Sequence, residues 1–136
     1  MNDPNAKADV TELTPLDLGP LPVAKINAVL GSSLAAADAH FSIRAQSHSL
    51  VRHPADFELC RRYVGRIVSA PDYIGQAPGQ ADGFELIGEV PQEGAIILVA
   101  IKLRVDRAGR YIVASTYPID RNKLERRLRK GFIKPA

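Results

Sequence analysis

The sequence predicts an α+β domain in which N-terminal helices pack on one face of a mostly antiparallel, twisted sheet of about four strands, followed by a short basic C-terminal helix. Three observations carry this reading. Ala95 to Asp106, AIILVAIKLRVD, and Arg110 to Tyr117, RYIVASTY, are β-rich runs on either side of the turn Arg107-Ala108-Gly109, an antiparallel hairpin. From Pro54 to Ala70 the apolar residues Phe57, Cys60, Val64, Ile67 and Val68 recur at three- and four-residue steps. That is one stripe of a helix, and Arg61, Arg62 and Arg66 fall off it. Along the chain, helical signals lead and the strand signals cluster late.

Residues 1–21 carry prolines at 4, 15 and 20 and little periodic pattern, which predicts a loose arm with one helical turn around Ala6 to Leu13. Residues 22–136 then form a single domain, long enough to bury a core without disulfides or metal. From Pro22, PVAKINAVLG sets Val23, Ile26 and Leu30 on one helical face, with Gly31 as the stop. Ala39 to Ala45 alternates polar and apolar residues at the period of a half-buried strand. Ser47 caps a short segment bearing His48 and His53. His53 precedes a proline, which disfavours helical geometry, so both histidines are expected on a lead-in segment outside the helix.

Pro54 suits the first helical position, Asp56 and Glu58 complement the helix dipole, and Pro71 stops the run. Pro71 to Gly83 reads as an irregular loop, and Phe84 to Val90 as a short strand ended by Pro91. In the first hairpin arm Ile97, Val99, Ile101, Leu103 and Val105 share one face, with Ile96, Leu98, Ala100, Lys102 and Arg104 on the other, so its early part is buried on both. Asp120 caps a helix from Arg121 to Lys130, with Ile119 and Leu124 at hydrophobic-staple positions and Gly131 at its end. Leu124 and Leu128 give that helix only a narrow apolar seam. The sheet's second face is left open to a ligand.

Charge is unevenly spread. The whole chain carries +3, whereas Asp120 to Ala136 alone carries +5, a basic tail suited to an acidic partner. The single cysteine, Cys60, lies on the apolar helix stripe, where it reads as a small buried hydrophobe. No apolar run approaches the roughly 20 residues that cross a membrane, and MNDPNAKADV lacks the form of a signal peptide. No membrane partner and a cytoplasmic location, of the host or of a target cell, are therefore expected.

His48 and His53 lead the candidates for chemistry, because imidazole can take and return a proton near neutral pH; a purely structural role for either is the alternative. Their spacing is poor for zinc and no further ligands complete a set, so neither metal nor cofactor is expected. The glycines at 75, 79 and 83 lack the lysine and hydroxyl of a phosphate loop. Ser115, Thr116 and Tyr117 end the second hairpin arm, where hydroxyls can hold a phosphate or can simply pack. Lys102 interrupts an apolar run, either as a cation for developing negative charge or as an edge charge against aggregation.

The stretch SHSLVRHPADFELCRRYVGRIVSAPDYI, preceded by AHFSIRAQ and followed by VAIKLRVDRAGRYIVASTY, resembles the barnase-EndoU-colicin-RelE-like (BECR) ribonuclease superfamily. The similar branch is that of phage proteins, polyvalent proteins of mobile elements and contact-dependent toxins, and the resemblance covers about residues 18 to 120. It implies metal-independent RNA cleavage, in which the 2′-hydroxyl attacks the adjacent phosphate and leaves a 2′,3′-cyclic phosphate. The implied catalytic set is His48, His53, Lys102 and Thr116. Arg62, Ser115, Tyr117, Arg127 and Lys130 are the implied contacts to RNA, tRNA or another structured RNA. A cognate immunity or antitoxin protein is the implied partner. The alternative is a non-catalytic basic module that binds RNA, DNA or a protein through the tail.

Overall fold

A computed structural model describes residues 12–136. Strand β1 (Leu16–Pro20) is followed by helix α1 (Val23–Leu30), strand β2 (Asp38–Phe41) and helices α2 (Ile43–Arg52) and α3 (Phe57–Ser69). Strands β3 (Tyr73–Gly75), β4 (Gly83–Val90), β5 (Ala95–Lys102) and β6 (Tyr111–Ile119) come next, then helix α4 (Arg121–Arg129) and strand β7 (Ile133–Pro135). The helical turn expected around Ala6 to Leu13 falls almost wholly outside the described residues.

The α+β class stands, but the sheet is not the expected four-stranded one. It has seven strands in the order β1-β2-β6-β5-β4-β3-β7, and β2 runs parallel to β6, so it is mixed. The hairpin holds: β5 and β6 pair antiparallel, and Gly109 takes a positive φ of 80° at the turn, where Arg110 clamps Asp106 through backbone and side chain. Three short strands escaped the sequence reading because each is stabilised by its neighbour more than by its own pattern. β1 lies within the expected arm and pairs with β2. β3 lies in the expected loop and β7 follows the basic helix, and these two pair with each other. Gly75 permits this, since a Cβ there would sit 2.1 Å from the Phe132 carbonyl oxygen. The two outermost strands both carry proline, Pro20 in β1 and Pro135 in β7.

A second correction concerns the residues around His48. The alternation of Phe41, Ile43 and Ala45 suggested a strand, yet the strand ends at Phe41 and Ile43 is 46% exposed. Ser42 starts a helix instead, its side chain accepting the Ala45 N–H at 3.1 Å. Gln46 is fully buried; its Nε2 donates to the carbonyls of Phe41 and Thr14, and its Oε1 accepts from Arg61 Nε. One amide thus ties α2 to the end of β2, to the N-terminal segment and to α3. His48 lies inside α2. His53 lies just past it, with φ −136° and ψ 61°, outside the helical region that a following proline disfavours.

Helix α3 behaves as its stripe predicts. Phe57, Cys60, Val64, Ile67 and Val68 are all buried, and the helix packs on β1, β4, β5 and β6. Fully burying a large apolar side chain stabilises by about 1.5–3 kcal/mol, so this face is the principal cover of the sheet. Its closest approach is at Gly88, where an added Cβ would meet Ile67 Cγ1 at 2.6 Å. Gly88→Ala is therefore expected to cost about 1–3 kcal/mol by overpacking. Combined with Ile67→Ala, which removes the obstructing atoms, the double variant should lose less stability in urea unfolding than the two single losses added together. Strict additivity would overturn this account of the contact.

Candidate active site

Side chains on β5 alternate between two cores. Ile97, Val99 and Ile101 lie beneath α3, while Ile96 and Leu98 face the other way, with Ile87, Ile119 and Ile133 against Leu124 of α4. The tail helix is thus a second cover, on the face that the sequence left open. It leaves part of that face free. Strand register places Glu85, Ala100 and Ser115 in one row across β4, β5 and β6, and Ile87, Leu98 and Tyr117 in the next. Ala100, Ser115 and Tyr117 are half-buried.

Beyond its two-residue pairing with β2, β6 is flanked by α2, which packs against it. His48 and Arg52, four residues apart, share a side of α2. Pro54 turns the chain so that the His53 ring stacks on Tyr117, with centroids 5.2 Å apart and planes inclined by 21°. A cleft of about 360 Å³ results, lined by His48, Ser49, Arg52, His53, Ser115 and Tyr117. Four residues singled out in the sequence, His48, His53, Ser115 and Tyr117, therefore meet. Arg52 was not anticipated, and Ser49 suggested itself only as a triad serine, for which the sequence has no nucleophile elbow; reading residues 43–52 as a helix would have put Arg52 beside His48. Among the described residues Arg52 pairs with no carboxylate, and the buried Ser49 hydroxyl has no hydrogen-bond partner. Two imidazoles able to exchange protons, an uncompensated guanidinium and several hydroxyls are a set suited to a phosphate diester.

The other sequence-predicted site residues do not join this cleft. Thr116 points into the opposite core beneath α3, 2% exposed, and its hydroxyl makes no hydrogen bond of ordinary geometry. Lys102 lines a separate cleft with Asp82 and Arg104. Arg62, on the outer side of α3, pairs with Glu93 at 3.4 Å. Lys130 is exposed, its ammonium 6.0 Å from the centre of the Phe132 ring. Arg127 is occupied: its Nη1 donates to Glu85 Oε1, and that carboxylate is only 1% exposed. Burial pushes the Glu85 carboxyl up, opposed by Arg127 and by the charge of Lys123. Burial, reinforced by the Glu85 charge, also raises the Tyr117 phenol, with Arg127 opposing. His40 sits apart, its buried Nδ1 2.8 Å from Asp17 Oδ1 and 3.2 Å from Arg110 Nη1, joining β1, β2 and the hairpin turn.

Among the described residues no three His, Cys, Asp or Glu side chains are grouped to hold a metal ion, and no helix is long and apolar enough to cross a membrane. A scan against protein-family models finds no match, and searches of curated proteins and of solved structures find none either.

Cys60 shares the buried side of the sheet with Thr116. Burial pushes its thiol from 9.0 up to about 11, against a weaker opposing pull from the Thr116 hydroxyl. The unfolded chain releases this proton first, so the stability linked to it is full below pH 9 and is lost as pH rises through 11. The raised phenols of Tyr73, Tyr111 and Tyr117 act in the same direction, and a variant separates the thiol from them. Between pH 8 and the top of this window, wild type should lose about 2–3 kcal/mol more unfolding free energy than Cys60→Ala. Equal losses in urea titrations would place the thiol in contact with water.

Proposed function

We propose that the protein is a metal-independent endoribonuclease of the BECR type, acting as a toxin or as a phage or mobile-element effector. The single observation that carries this reading is the convergence of His48 and His53 with Arg52, Ser115 and Tyr117 in one cleft. Cleavage of a ribose–phosphate chain needs a base to take the 2′-hydroxyl proton and an acid to protonate the departing 5′-oxygen. The attacking oxygen bonds to phosphorus as the bond to the 5′-oxygen breaks, leaving a 2′,3′-cyclic phosphate. Two imidazoles supply the base and the acid without a third proton carrier. The Arg52 guanidinium matches the charge gathering on the phosphoryl oxygens, and the hydroxyls of Ser115 and Tyr117 orient the group. Arg52 thus takes the part that the family resemblance assigned to Lys102 or Arg62. A cognate immunity protein would have this cleft to cover.

A second reading, a non-catalytic basic module that binds RNA, DNA or a protein, is favoured by Arg126, Arg129 and Lys130 of the tail. All three are exposed, and none has a carboxylate partner among the described residues. Purified protein incubated with total RNA in excess chelator separates the two. His48 is exposed and His53 half-buried, so His48→Ala and His53→Ala should each keep the melting temperature within a few degrees. Each should also lower the cleavage rate by about 10² to 10⁴. Binding without cleavage in every RNA pool would leave the binding module as the function.

A further inference from the structure

The cations of α4 are not spread evenly round the helix. Lys123, Arg126, Arg127 and Lys130 follow one another at steps of three, one and three residues, so they stand on one side, and like charges so placed repel. They form one wall of a pocket of about 200 Å³, faced by the Ala77–Pro78 turn and floored by Phe132. Only Arg127 is neutralised, by buried Glu85; among the described residues Lys123, Arg126 and Lys130 have no carboxylate partner. Phe132 is half-buried; its carbonyl accepts the Gln76 N–H at 3.0 Å beside the β3–β7 pairing, which fixes its backbone, and the Lys130 ammonium stands 6.0 Å from the centre of its ring. Three cations without a carboxylate partner round a half-buried aromatic ring suit a phosphate joined to a flat base.

The pocket connects to the histidine cleft through Arg127, which lines the pocket and pairs with Glu85, two strands across from Ser115 of that cleft. Tyr117 stacks on His53 and feels the charges of Glu85 and Arg127. That row, from Ser115 through Ala100 to Glu85, crosses two strand spacings, about 10 Å. We infer that this pocket is a second nucleotide subsite, which binds a phosphate of the same RNA strand through Lys123, Arg126 and Lys130 and stacks its base on Phe132. The inference rests on the reading of the protein as acting on RNA in choosing a chain phosphate over a free one.

Binding can be measured apart from cleavage with a short single-stranded DNA oligonucleotide, which has no 2′-hydroxyl and is not cut, and with inorganic phosphate alone. The triple variant Lys123→Gln, Arg126→Gln, Lys130→Gln should bind the oligonucleotide at least tenfold more weakly than a charge-matched control, Arg44→Gln, Arg104→Gln, Arg107→Gln. It should also lose about 0.7 from the slope of log affinity against log salt for each phosphate contact removed. Arg127 is kept, because Glu85 would otherwise be left as an unpaired buried charge. Phe132→Leu should weaken oligonucleotide binding about tenfold while leaving inorganic phosphate unaffected. Equal losses in the triple variant and its control would overturn the pocket in favour of diffuse attraction, and a Phe132→Leu protein with wild-type affinity would overturn the stacked base. If inorganic phosphate alone binds as tightly as the oligonucleotide, the site belongs to a free anion and the inference fails. RNA cleavage with KM unchanged in the triple variant would remove the subsite and leave the ribonuclease standing. Loss of binding in a protein that never cuts RNA would do the reverse.

Discussion

Strand β5 sets the terms for the rest of the molecule. AIILVAI is apolar on both faces, and a strand in that state needs two covers, one for each side of the sheet. Helix α3 supplies the first with a continuous stripe of buried residues. The second has to come from α4, whose apolar seam is Leu124 with Leu128 half-buried beside it. So small a seam buries Ile96, Leu98 and their neighbours, while Ala100 and Tyr117, packed at the margin of that cluster, and Ser115 stay only half-buried. The same shortage of apolar surface that makes the tail helix basic therefore leaves a polar strip of sheet uncovered, and the candidate site lies along it.

Within that strip the geometry is governed by one proline. Helix α2 ends at Arg52; Pro54 disfavours the helical conformation at His53, and the ring comes to rest against Tyr117. His48, one turn back and still helical, keeps its place through the buried Gln46 that anchors the helix start. One histidine is thus held by backbone restriction and stacking, the other by a helix fixed at its base. Preorganisation of this kind places groups before a substrate arrives, which is where acid–base and electrostatic catalysis gain most.

How far the sequence could be read follows from the range of the interactions involved. The hairpin, the α3 stripe and the Asp120 cap depend on residues within a few positions of one another, and all three are present; Asp120 Oδ1 accepts the Lys123 N–H at 2.7 Å. The α+β class followed from these. Strands β1, β3 and β7 were not legible, because their pairing partners lie far along the chain or depend on an absent side chain at Gly75. Alternation misled at Ile43, whose apolar side chain faces water, and the signal that decided the matter was a buried glutamine rather than a hydrophobic period. In the site, His48, His53, Ser115 and Tyr117 were named from residue type and brought together by the fold. Thr116 was named on the same grounds, but strand parity sends alternate residues to opposite faces, and parity could be assigned only once the buried faces were known.

The sheet's two outer rims share a feature with a bearing on how this protein meets others. β1 is five residues long, with an irregular register between Asp17 and Gly19, and ends at Pro20; β7 is three residues long and ends at Pro135. Proline offers no amide hydrogen, and short or bulged borders give an incoming strand too little to zip onto. Both borders are therefore poor templates for growth of the sheet by strand addition, whether into fibrils or by augmentation from another chain. Among the described residues neither rim presents an unbroken row of amides, so what this fold offers to a partner is side chains on the broad surfaces of the sheet and its helices.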